Sequence, residues 1–232
     1  MTTNTNSAAR SAILGKIRRS ITGGQTDADR SVARQEAESR IAARERGLIP
    51  ARAQVDREEQ IKMFLAFSES VSSTTHRLSS YDEVPSAIAD YLRGRNLPQQ
   101  VRSGTDPRLE SINWASESQL ERLIGPSDGK DEVGVSHALG GVAETGTAIL
   151  KSGPDNPTTL NFLPETHVII INGDDITGDY ESLLSRLYGA DGEAVMPRVV
   201  NRITGPSRSG DIEQTILLGA HGPKYVHVIV VG

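Results

Sequence analysis

The sequence predicts an α/β fold: an open, mainly parallel sheet between helical layers, preceded by an N-terminal helical arm. Three observations carry this. The stretches 167–172 (HVIIIN) and 226–231 (VHVIVV) are nearly continuous β-branched runs, the pattern of strands buried on both faces of a parallel sheet. Strand-like runs then alternate with helix-period segments, as a sheet covered by helices requires. The first part of the chain, by contrast, holds only helix-period patterns. The chain divides on this reading into an arm, residues 1–78, and an α/β domain, residues 79–232.

In chain order, residues 1–24 read as a short amphipathic helix with Ile13, Leu14 and Ile17 on one side. Residues 27–48 read as a second helix, capped by Asp27 or Asp29 and stopped by Gly47 and Pro50. Its apolar side is thin (Val32, Ala33, Ala37, Ile41), so it needs a partner surface, another subunit included. Residues 56–75 form a stronger helix: Asp56 caps it, and Ile61, Phe64, Leu65, Phe67 and Val71 make its stripe. Residues 81–93 follow as a helix with Val84, Ile88 and Leu92 on one face. Residues 110–123 are ambiguous between a strand at 112–114 and a helix at 116–123. Strands are predicted at 133–136, 147–150, 167–172 and 226–231, and helices at 179–188 and 211–218.

Composition narrows the function classes. The 232 residues are only 36% hydrophobic, low for a fully compact chain and in keeping with a polar arm. No apolar run approaches the ~18 residues of a membrane span. The net charge of −5 is uneven, with 13 Lys/Arg against 9 Asp/Glu in residues 1–80. A mildly basic arm on an acidic body, with 4% aromatic residues, lacks the concentrated basic face of a nucleic-acid binder. With no cysteine, the chain has no thiolate for an iron–sulfur cluster, a disulfide or a nucleophile. The five histidines never take a metal-site spacing, so no metal is predicted. His167 and His227 read as sheet residues.

Polar residues gather at two places. In GGVAETGTAIL (140–150), Glu144, Thr145, Gly146 and Thr147 lie between apolar flanks. A carboxylate there must be paired, hydrogen-bonded or kept for a ligand; a tight turn satisfying Glu144 is the plain alternative. In ITGPSRSGDIEQTILLGAHGP (203–223), a strand runs into a small, polar loop and then into the predicted helix at Asp211. Such a loop resembles an anion cradle, with Arg208 offering a bidentate contact. Asp211 and Glu213 would repel an anion, so Arg208 pairing with Asp211 or Glu144 stands as the alternative. His221 reads either as a general acid/base or as a residue that shapes its turn.

The segments A-E-T-G-T (143–147), L-P-E-T-H-V (163–168), G-P-S-R-S-G-D-I-E (205–213) and L-G-A-H-G-P (218–223), followed by H-V-I-V-V, together resemble the LutC/YkgG family, which carries the LUD domain named for lactate utilisation. The likeness is strong over residues 130–232 and looser before. It implies a three-layer α/β/α domain similar to the NagB/RpiA/CoA-transferase-like fold. It also implies a cytoplasmic role beside iron–sulfur partner proteins that oxidise L-lactate to pyruvate, with the clusters in the partners and no cofactor here. The matching positions define a candidate pocket: Glu144 and His221 as catalytic candidates, and Thr145, Gly146, Thr147, Gly205, Pro206, Ser207, Arg208, Asp211, Glu213 and Gly222 as binding candidates for a small carboxylate or phosphate. Three function classes follow: a non-redox subunit of the lactate-oxidising system, a stand-alone isomerase or acyl/CoA-transferase-like enzyme with Glu144 as base or nucleophile, and a scaffold without ligand. Homo-oligomerisation is compatible with each.

Overall fold

The computed structural model describes residues 4–23, 26–43, 45–187, 196–212 and 215–232. The chain forms two compact units, Met1–Gly47 and Leu48–Gly232. The expected arm therefore divides, with residues 48–78 belonging to the larger unit. The smaller unit holds α1 (Asn4–Thr22) and α2 (Asp27–Ala43). At the start of α2 the Thr26 amide donates to Asp29 Oδ2 (2.8 Å) and the Asp29 amide donates to Thr26 Oγ1 (3.2 Å). This is a reciprocal capping box, so Thr26 is the cap and Asp29 completes it from inside the helix. The hydrogen bonds from Thr26 hold the Asp29 carboxyl below the usual range. Ile13, Leu14, Ile17, Val32 and Ile41 are exposed.

The larger unit continues with α3 (Arg57–Ser70), β1 (Thr74–Leu78), α4 (Val84–Gly94), β2 (Gln100–Ser103), α5 (Pro107–Glu110), β3 (Glu121–Ile124), β4 (Val133–His137), β5 (Gly140–Val142), β6 (Thr147–Lys151), β7 (Thr166–Asn172), β8 (Ile176–Thr177), α6 (Tyr180–Leu184), β9 (Val200–Ile203), β10 (Arg208–Ile212), β11 (Thr215–Leu218) and β12 (Tyr225–Val231). Six strands make the central sheet in the order β1-β12-β7-β4-β2-β3, and every pairing in it is parallel. The two β-branched runs lie side by side at its centre, from Tyr225↔Thr166 to Val231↔Asn172.

Alternation along these strands loads both faces. Val168, Ile170, Ile229 and Val231 pack with Val84, Ile88 and Leu92 of α4. Ile169, Ile171, Val226, Val228 and Val230 pack with Ile61 and Phe64 of α3 and with Ala148 and Leu150 of β6. This is the predicted α/β class, with a six-stranded parallel sheet flanked by helices. The second face is shared between α3 and a small sheet, β8-β5-β6-β9.

α3 begins as predicted, with the Glu59 amide donating to Asp56 Oδ1 (3.0 Å), but ends five residues early. Within the predicted stripe, Phe67 is exposed. Residues 74–78, of which the predicted helix took 74 and 75, are the edge strand β1, whose mostly exposed T-T-H-R-L gives no alternation to detect. Residues 110–123 form neither the predicted strand nor the helix: a 3-10 turn spans Trp114–Ser116 and β3 begins at Glu121. Asp179 caps α6, which passes into a 3-10 turn at Ser185–Leu187. Tyr188 lies outside the described residues.

The largest departure is at 211–218. The predicted helix is a hairpin, with β10 and β11 pairing antiparallel from Arg208↔Leu218 to Ile212↔Thr215. A short apolar run of this kind fits either period, and pairing with its neighbour decides. Asp211 lies within β10 and caps no helix. The helix-dipole cradle expected at this loop is therefore not formed.

Candidate functional site

The loop after β9 reaches α3 at Gly205, whose φ of +79° suits glycine and where a Cβ would lie 2.6 Å from the Val71 carbonyl oxygen. Ser207 then ties two sequence motifs together. Its amide donates to the Pro223 carbonyl (2.8 Å) and its carbonyl accepts from the Gly219 amide (2.9 Å). Its hydroxyl accepts from the His221 amide (3.2 Å). GPSRSGDIE and LGAHGP are thus two sides of one hydrogen-bonded structure. Arg208 Nη2 donates to the Val71 carbonyl (2.8 Å) and to Ser72 Oγ (2.6 Å). This places a cation at the C-terminal end of α3, where the helix dipole favours it.

Against these loops lies a cavity of about 270 Å³ whose wall includes Asn161, His167, Arg202, Ser207, Arg208 and His221. His167 and Val226, also in the wall, are the second residues of β7 and β12, so the cavity sits at the amino ends of the central strands. His221 and Arg208 are exposed. His167 is fully buried, and its ring is held neutral by burial, with the pKa pushed down to about 3. Neither of its ring nitrogens has a hydrogen-bond partner. Asn161, equally buried, accepts from Ser136 Oγ (3.0 Å) through Oδ1, while its Nδ2 has no partner. Each such buried polar atom costs about 1–3 kcal/mol. Three such atoms belong to two residues of this wall, His167 and Asn161.

Of the residues singled out in the sequence, the cavity brings together Gly205, Ser207, Arg208, His221 and Gly222. Pro206 is buried beside it, and Glu213 lies outside the described residues. Glu144, Thr145, Gly146 and Thr147 are not among the wall residues. Glu144 is buried, 3.4 Å from Arg52 Nε, and its amide donates to the Gly178 carbonyl (3.1 Å). Arg208 turns to Val71 and Ser72 rather than to Glu144. The two loops do approach one another: Thr147 Oγ1 lies 2.7 Å from Thr204 Oγ1 and 2.9 Å from the Tyr180 hydroxyl. Gly146 (φ +62°) lets this turn close on α3, where a Cβ would come 2.5 Å from the Ser68 amide nitrogen. The A-E-T-G-T segment thus builds the turn, and its carboxylate lies beside Arg52.

Sequence reasoning missed Asn161, His167 and Arg202. For His167 there was a signal: strict alternation places it on the same face as Ile169 and Ile171, inside the protein. For Asn161 there was none.

A second polar cluster occupies the opposite, carboxyl end of the sheet. Arg108 donates to Asp106 through Nε and Nη2 (2.9 and 2.8 Å) and to the Ala138 carbonyl through Nη1 (2.9 Å). His137 Nδ1 lies 2.9 Å from the same carbonyl. A carbonyl only accepts, so Nδ1 carries the proton and Nε2 accepts from the Tyr81 hydroxyl at 2.8 Å. Burial, aided by the Arg108 charge, pushes the His137 ring down to about 4. Burial opposes ionisation of Asp106, but hydrogen bonds from Arg108 hold its carboxyl below the usual range. Burial raises the Tyr81 hydroxyl. The cluster lies where β2 and β4 are neighbours but lead the chain in opposite directions across the sheet. In open α/β sheets that is the usual ligand crevice.

An open parallel α/β sheet with a polar cavity closed by two Gly/Ser-rich loops defines the class of protein. The LUD domain family matches residues 129–231, the span from β4 to β12 that contains the cavity. Lactate utilization protein C of Geobacillus thermodenitrificans (strain NG80-2) is 34% identical over 173 residues, covering 71% of this chain and 69% of that one. YkgG of Escherichia coli (strain K12) is 28% identical over 190 residues, 76% of this chain and 82% of the relative. The crystal structure of a DUF162 family protein from Deinococcus radiodurans shares the fold, with a TM-score of 0.56, 20% identity, and coverage of 77% of this chain and 99% of that one. The chain belongs to the LutC/YkgG family of LUD-domain proteins.

Proposed function

We propose that this chain is a non-redox component of a lactate-utilisation system that oxidises L-lactate to pyruvate in the cytoplasm, and that it binds a small carboxylate or phosphate in the cavity at the amino ends of β7 and β12. The observation that carries the ligand reading is the cavity wall: exposed Arg208 and Arg202 supply positive charge, while the buried His167 and Asn161 supply unmet hydrogen-bonding groups. Guanidinium groups suit carboxylate and phosphate alike. The names of the relatives supply the lactate context. The absence of cysteine from the sequence supports placing the iron–sulfur clusters in partner proteins, since clusters are held chiefly by thiolates. The reading of the chain as an independent transferase rests on Glu144, which is paired with Arg52 and lies outside the cavity wall.

Deleting the chain is expected to abolish growth on L-lactate while sparing growth on pyruvate, with restoration by the intact gene. Unimpaired growth on L-lactate overturns the assignment. With the purified chain, a small carboxylate or phosphate is expected to raise the melting temperature, because a ligand of the native state stabilises by mass action. Arg202→Ala should weaken that shift.

A further inference from the structure

Ile13, Ile17 and Ile21 recur along α1 at i, i+4 and i+8, with Leu14 beside them, so one side of the helix is an apolar stripe. In that order these four side chains belong to residues that are 61%, 47%, 78% and 43% exposed. The stripe is therefore bare. A lone helix of this length is marginal in water, and Gly15 in its middle weakens it further. A surface that takes up the stripe also holds the helix.

Charge indicates which surface. α1 carries Arg10, Lys16, Arg18 and Arg19 and no acidic residue. Lys16 stands three residues after Ile13 and Arg18 four after Leu14, so the two border the stripe on opposite sides. Arg10 stands at its amino end, where a long apolar stem follows the stripe and the guanidinium reaches outward. α2 is the contrast within the same unit. Its Val32 and Ile41 are also exposed, but its sequence sets four acidic residues against three arginines, and Arg34 pairs with Glu38 at 2.8 Å. The occupant that suits α1 is apolar in its interior and anionic at its rim. A second α1 does not meet this, since it sets cations against cations. An anionic lipid surface does, with acyl chains against the stripe and headgroup phosphates against the flanking cations. Among the described residues no helix is long and apolar enough to cross a membrane, so α1 would lie along the surface.

We propose that α1 is an interfacial anchor that docks the chain reversibly on anionic lipid bilayers, with Ile13, Leu14, Ile17 and Ile21 immersed and Lys16 and Arg18 at the headgroups. The proposal is independent of the cavity and of the lactate reading, and its failure leaves both untouched.

The test is flotation of the full chain with vesicles of phosphatidylcholine alone or with about one-third phosphatidylglycerol. Partitioning is expected to be roughly tenfold or more stronger on the anionic vesicles and to weaken at high salt, where screening shortens the reach of the charges. Ile13→Asp together with Ile17→Asp is expected to lower it by roughly tenfold or more. Lys16→Glu is expected to lower it by about fivefold or more, the worth of one cation at such a surface. Val32→Asp on α2 is expected to leave it unchanged. These substitutions alter exposed residues, and an unchanged melting temperature verifies that the larger unit is intact. Equal partitioning on both vesicle types, or no loss in the Ile13→Asp, Ile17→Asp variant, overturns the proposal. So does capture by poly-L-glutamate in place of vesicles, which assigns α1 to an acidic protein surface. So does a concentration-dependent mass in sedimentation that the same double substitution abolishes, which assigns it to a second copy of the chain.

Discussion

The two ends of the central sheet hold polar clusters of similar composition and opposite condition. At the carboxyl end, Tyr81, Asp106, Arg108 and His137 satisfy one another and the Ala138 carbonyl. At the amino end, His167 and Asn161 line a cavity, are more deeply buried than Tyr81 and Arg108, and keep unpaired atoms. The comparison teaches that position in the fold is weaker guidance than hydrogen-bond accounting. The rule for open α/β sheets points to the carboxyl end, yet there the side chains consume each other's hydrogen-bonding capacity. A buried polar group without a partner weakens the native state, and such a cost is commonly found at functional sites.

The contrast can be broken by substitution at either end. Arg108→Ala, which takes the guanidinium from the buried Asp106 carboxylate and leaves it only the backbone amide of residue 108, is expected to cost about 1.5–3 kcal/mol in denaturant unfolding. A loss under about 1 kcal/mol would mean that the carboxyl end is not the closed, structural one. Acid comes next. His137, His167 and His227 are held neutral by burial, with pKa values pushed down to about 4, 3 and 4. Below the ordinary histidine pKa the unfolded chain binds more protons than the folded one, so stability should be full above about pH 6.5 and fall steadily as the pH drops toward 3. Thermal unfolding between pH 7 and 4 measures it, and a flat profile would show that these rings are reached by solvent.

Smaller effects sharpen the comparison. Tyr81→Phe leaves His137 Nε2 without its donor and is expected to cost about 1–2 kcal/mol. At the amino end the sign reverses: His167→Leu removes two unpaired nitrogens and is expected to stabilise by about 1 kcal/mol. Destabilisation by both changes would erase the distinction between the two ends.

Much of the frame was legible in the residues. The β-branched runs of β7 and β12 became the two central strands, and the Val84, Ile88, Leu92 stripe of α4 became buried core. Each signal reported on burial, which a long periodic run encodes locally. The short strands β1, β2 and β3 carry mixed, partly exposed residues, so no continuous apolar run marks them as one marks the equally short β4 and β6. The hairpin at 208–218 was illegible for a related reason, since its apolar residues fit a helix until they find a strand to pair with. The site was half legible. Gly205, Ser207, Arg208, His221 and Gly222 belong to two contiguous motifs, and contiguity is what a sequence displays.

By itself, then, the sequence determined the α/β class, the central strands, the family and the two loops that close the cavity, because periodicity, β-branching and motif order are properties of neighbouring residues. Only the tertiary structure decided that Glu144 turns to Arg52, that Arg208 closes the end of α3, and that His167 and Asn161 share a wall with unmet hydrogen bonds. Those outcomes depend on which distant groups arrive beside a polar atom, and hydrogen bonds acting over about 3 Å are settled only once the chain has folded.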